Sequence, residues 1–100
     1  MVLYNVTLKI QNEVVAQWVE WMKCEHMPDL LQTGLFTGCR LFRLMEQDDT
    51  DGATYAAQYY CNSINEYHDY INRFAQEMRE RGHAKFGGKF VAFRTIMEEV

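Results

Sequence analysis

The stretch ATYAAQYYCNSINEYHDYINRFAQEM, residues 53–78, changes its hydrophobic period halfway along, and that change decides the fold. In its first part Tyr55, Ala57 and Tyr59 alternate with Thr54, Ala56, Gln58 and Tyr60, the period of two of a strand. Ser63-Ile64-Asn65-Glu66 then matches a capping box, in which the serine and the glutamate satisfy each other's free backbone donors. Beyond it Ile64, Tyr67, Ile71, Phe74 and Met78 recur at steps of three and four, the stripe of an amphipathic helix. The pattern predicts a strand over 53–61 and a helix from the capping box to about Arg81, with Gly82 as its C-cap.

Working outward, residues 47–52, QDDTDG, carry an Asp-Gly turn signal, and residues 35–46 are rich in strand formers. Together with 53–61 they predict a hairpin. Residues 2–10 alternate Val2, Tyr4, Val6, Leu8 and Ile10 with Leu3, Asn5, Thr7 and Lys9, a strand with one strongly apolar face. From Glu13 to about Cys24 the spacing turns helical, and Asn12 is placed to cap that helix. Pro28 lacks a backbone donor and clashes inside a continuing helix. The helix is therefore expected to break near His26, with Pro28 opening a further turn that Gly34 ends. Residues 83–86 read as a connector, Gly87-Gly88 as a turn and residues 89–98 as a last strand.

The order βαββαβ has no repeat or linker, so residues 1–100 form one α+β domain. It predicts a ferredoxin-like sandwich, a four-stranded antiparallel sheet with both helices on one face. Tyr4 and Val6 should point at the helices, and Leu3, Asn5, Gln58 and Tyr60 away from them. On the last strand, Val91, Phe93 and Met97 are expected on the helix side, and Phe90, Ala92, Arg94 and Ile96 opposite. The uncovered face would then mix apolar and polar residues, as a dimer interface or a pocket between two sheets requires. Leu3, Gln58, Tyr60 and Phe90 are the expected interface residues.

The balance of 10 basic to 14 acidic residues, with the basic ones scattered, argues against nucleic acid as a partner. Cys24, Cys39 and Cys61 have no motif spacing and are odd in number, which argues for a reducing, cytoplasmic setting. The sequence shows no signal peptide and no membrane span.

LYNVT at 3–7, HMPDLLQTGLFTG at 26–38 and KFVAFRT at 89–95 resemble the bacterial domain-of-unknown-function family 4286, across essentially the whole chain. His26 and Pro28 match its His-x-Pro, and Phe93-Arg94-Thr95 its C-terminal segment; the resemblance brings no catalytic residue. It implies the dimeric α/β-barrel type of fold, a homodimer paired through open sheet faces. By fold analogy alone, some proteins of that type are cofactor-independent oxygenases or isomerases.

Asn5, Trp21, His26 and Arg94 are the candidate ligand-binding residues, placed between the open sheet face and the end of the first helix. His26 can serve as a general base or simply sit near helix C-terminal carbonyls. Trp21 lies at the edge of the core, where it can rim a pocket or an interface. Arg94, a guanidinium among apolar neighbours, wants a carboxylate or an anionic ligand. The expected partner is a small anionic or aromatic molecule. No metal is expected, because Cys24-Glu25-His26 lacks further ligands at the usual spacing. No cofactor is expected either. Asp48, Asp49 and Asp51 read as a solvated turn.

Overall fold

A computed structural model describes residues 1–100. Strand β1 (Val2–Ile10) is followed by a helical arm: a short 3₁₀ turn at Asn12–Val14, α1 (Val15–Trp21), a π-helical turn at Met22–His26, and α2 (Met27–Gln32). Next come β2 (Gly38–Arg43) and β3 (Ala53–Cys61), then a second arm of α3 (Ile64–Arg73) and α4 (Ala75–Phe86), and finally β4 (Phe90–Glu98). The strands pair antiparallel in the order β2-β3-β1-β4, the ferredoxin-like arrangement, with β1 and β3 central. No helix is long and apolar enough to cross a membrane.

The period of two in β1 and β3 works as expected. Tyr4 lies opposite Tyr59, Val6 opposite Ala57 and Leu8 opposite Tyr55, and all six are buried under the helices. There they meet Trp18, Trp21, Met22, Leu30, Tyr70, Met78 and Phe86 in one core. Tyr4 is its hub, with ring centroids of Phe36, Tyr59, Tyr67 and Tyr70 between 5.3 and 6.2 Å away. Aromatic pairs at such separations contribute beyond the area they bury.

Four local expectations are corrected. The first arm does not break at His26. Met27 N–H donates to the Met22 carbonyl, five residues back, so the chain makes one wide turn and then resumes as α2 with Pro28 in its first turn. A π turn accommodates the proline that a regular α turn would exclude. Gly34, with φ 79°, lies just beyond the end of this arm, as expected. Second, Asn12 does not cap the helix; its amide donates to the Asp49 and Thr50 carbonyls and ties the hairpin loop to the start of the first helical arm.

Third, the second arm kinks at Phe74 and runs on to Phe86. Of the expected inner stripe, Met78 is buried and Tyr67, Ile71 and Phe74 pack against the core, whereas Ile64 is exposed and Tyr70 is buried in addition. Gly82 is a buried interior residue of α4, not a cap, and it packs near the rings of Trp21 and Phe90 with room for a methyl. The helix stops at Gly87, where φ is 60°.

Fourth, the two faces of β4 are exchanged. Phe90 lies opposite Ile10, Ala92 opposite Leu8, Arg94 opposite Val6 and Ile96 opposite Tyr4. Directly opposed residues share a face, so these four point toward the helices. Val91, Phe93, Thr95 and Met97 occupy the open face instead. Phe90 is therefore not an open-face residue, and neither is Arg94. Both faces of β4 are apolar in sequence, so alternation alone could not orient it.

The glycine pair gives a test of opposite signs. Gly82→Ala adds a methyl at ordinary contact distance and removes a helix-interior glycine, so chemical denaturation should show a gain of up to about 1 kcal/mol. Gly87→Ala forces a side chain into positive φ and should cost about 1–3 kcal/mol.

Candidate functional site

A small, partly enclosed and largely apolar concavity lies between the sheet and the helical arms, not on the open face. Tyr4, Trp18 and Tyr59 are buried in its floor. His83, Phe90 and Arg94 line the more exposed side, which places its mouth between α4 and β4. The free space is about 50 Å³, room for a few waters or a small headgroup.

The π turn puts His26 in this cavity. Residues five apart on a regular helix diverge by about 140° at 100° per residue. The wider turn brings Trp21 and His26 together instead, with stacked rings 4.6 Å apart between centroids and 21° from coplanar. Phe86 meets the same indole edge-on at 5.4 Å. His26 Nδ1 is buried and has no hydrogen-bond partner. Desolvation lowers the His26 pKa to about 4; Asp29 opposes the shift, and Arg81 and Arg94 add to it. The imidazole is thus neutral at neutral pH.

Arg79 is the functional candidate that sequence reading missed. It shares a helical stripe with Ala75, Gly82 and Phe86, all three of them buried. A charge in an apolar stripe was a usable signal, hidden because the helix was ended at residue 81. Its Nε is buried without an acceptor, and its Nη2 reaches the Tyr4 hydroxyl at a long 3.5 Å. Burial pushes the Tyr59 and Tyr70 hydroxyls well above the ordinary phenol range, so both remain protonated.

The four residues expected to form one site divide. Trp21, His26 and Arg94 line the cavity. Asn5 lies on the other side of the sheet, where its amide donates to Thr7 Oγ1 at 3.0 Å and Thr95 Oγ1 at 3.4 Å. The strand alternation that keeps Asn5 off the helix face also separates it from His26. Of the expected interface residues, Leu3, Gln58 and Tyr60 share the open face with Asn5, and Phe90 lines the cavity.

The chain belongs to the family described as Domain of unknown function (DUF4286), whose model matches residues 1–100. No curated protein matches it. Several solved structures do. A dimeric ferredoxin-like protein from an uncultured marine organism superposes with a TM-score of 0.74 at 6% identity, covering 99% of this chain and 97% of the other. An antibiotic biosynthesis monooxygenase gives 0.70 at 15% identity, over 100% and 99% of the two chains. An ethyl tert-butyl ether d (ethd) family protein from Bacillus halodurans C-125 gives 0.67 at 17% identity over the whole of both chains. At these identities the likeness is one of fold.

The site makes a pH prediction. Between about pH 6.5 and 4 the unfolded chain protonates its histidine while folded His26 resists. This contribution to stability is complete above about pH 6.5 and is lost as pH falls toward 4. The loss should be about 2–3 kcal/mol, moderated by partial exposure of the ring. Denaturation at pH 7 and pH 4.5 should show wild type losing more stability than His26→Gln. Equal losses would mean that His26 is as readily protonated as a histidine in water.

Proposed function

We propose that the chain acts as a homodimer joined through its open sheet faces, and that the cavity beneath the helices of each subunit binds a small ligand. The observation that carries the ligand reading is the pair of buried, unpartnered nitrogens, His26 Nδ1 and Arg79 Nε, in residues lining one cavity. Buried polar atoms without partners are costly, and a bound molecule that satisfies them removes that cost.

The dimer reading is supported by the opposite face. Val91 and Phe93 are 68% and 65% exposed, Met97 is exposed beside them, and Phe42 is exposed on β2 at the opposite edge of the same face. Tyr60 and Leu3 continue the patch across β3 and β1. So apolar a surface, on a sheet whose edge strand β4 is nine residues long, favours association. The dimeric ferredoxin-like neighbours point the same way. A cytoplasmic setting fits the three free thiols.

The alternative is a cofactor-independent oxygenase or isomerase, in line with the monooxygenase neighbour. Such chemistry needs a group that takes a proton near neutral pH. His26, with its pKa lowered to about 4, is a weak base for that purpose. Recognition by a neutral imidazole is the better-supported role. A module that only holds proteins together would leave the polar lining of the cavity without purpose.

Native mass spectrometry of gently purified protein tests both parts. The expected species is a dimer of the 11.9 kDa chain carrying a small molecule. Phe93→Glu, at an exposed site, should yield folded monomer. A wild-type monomer at micromolar concentration would remove the dimer. A dimer in which neither co-purified nor added small molecules ever occupy the cavity would leave the interaction module.

A further inference from the structure

The chain has six arginines, and Arg43, Arg73 and Arg81 are ion-paired. Arg40 sits on the open face, opposite Gln58. Arg79 and Arg94, the two that line the cavity, have no carboxylate partner. Asp29, the acid that bears on His26, is taken up by Arg81 at 3.0 Å. Two guanidinium groups thus border a small, largely apolar space, and one has a buried N–H with nothing to accept it. Like charges bordering one space repel, and the half-buried Arg79 is poorly solvated, while Arg94 stands exposed at the mouth. An anion between them relieves both costs.

From this we infer that the ligand is a small carboxylic acid, bound as its anion, with its head between Arg79 and Arg94 and a short apolar body against Trp21 and Leu30. The inference rests on the ligand-binding reading above. A guanidinium fork matches the two oxygens of a carboxylate. The third polar group, His26, is a neutral imidazole that can present Nδ1–H to an oxygen without adding charge. The small, largely apolar space favours a carboxylate over the larger and more strongly hydrated phosphate dianion. The limited free space confines the ligand to a few heavy atoms, and the indole and leucine walls favour a hydrocarbon over a polar tail.

Propionate and its neutral isostere propionamide separate charge from shape. Each is titrated into the intact protein while the Arg79 Nε–H and His26 ring signals are followed by NMR. Propionate is expected to shift both saturably, and propionamide to bind at least about tenfold more weakly. Arg94→Gln, at the mouth, should weaken propionate to a similar degree. Arg79→Lys, which keeps the charge but loses the fork, should weaken it too, while Arg73→Gln on α3, outside the cavity, should not. If propionamide binds as tightly and moves the same signals, the carboxylate requirement falls but the ligand-binding cavity stands. If phosphate displaces propionate at equal or lower concentration, the carboxylate class is wrong. If no acid or amide of this size moves either signal, both readings fall.

Discussion

Strand β4 lies beside β1 with Phe90 opposite Ile10 and Arg94 opposite Val6, and this register decides what each face of the sheet can do. Hydrophobicity does not impose it, since both faces of β4 are apolar. The connection does. Helix α4 ends at Gly87, whose positive φ turns the chain back at once. Lys89 N–H donates to the Phe86 carbonyl, and the Lys89 carbonyl accepts from Gln11 N–H at 3.0 Å. The Lys89 ammonium also meets Glu13 at 3.2 Å. At the far end Glu99 N–H donates to the Met1 carbonyl. A slip of one residue would move Arg94 out of the cavity and put Phe93 in its place.

The second determinant is the wide turn at Met22–His26. It keeps the first arm continuous past Pro28 and swings His26 onto the indole of Trp21. Desolvation, reinforced by Arg81 and Arg94, holds the imidazole neutral, so it can hydrogen-bond a ligand without competing for the anion-attracting role of the arginines. Gly82 completes the arrangement from the other arm. It is buried in α4 against Trp21 and Phe90, in the same stripe as Arg79, which lines the cavity. Backbone irregularity in one arm and a buried stripe in the other together build the site.

Much of this was legible in the sequence. The strands at 2–10, 53–61 and 89–98 announce themselves because a half-buried strand must alternate. Trp21, His26 and Arg94 were picked out as residue types that sit awkwardly in a plain core. What could not be read depended on tertiary contact. Gly82 looked like a helix stop because glycine is a poor helix former, yet packing overrides propensity there. Ending the helix early concealed Arg79. The orientation of β4 follows from a turn and three backbone hydrogen bonds, not from its own side chains. Asn5 and His26 are both polar residues beside apolar ones in the sequence, but the cavity lies on the helix side of the sheet and Asn5 on the open side.

The central claim is that Arg94 faces the helices and Phe93 faces away. Side-chain nuclear Overhauser effects in solution test it most directly. The account predicts contacts from the Arg94 methylenes to the helix-covered side chains near Val6 and Tyr4, and from the Phe93 ring to Thr7 on the open face. Contacts from the Phe93 ring to Trp21 or Tyr70, with Arg94 methylenes near Asn5, would reverse the sheet and take the cavity's second cation away.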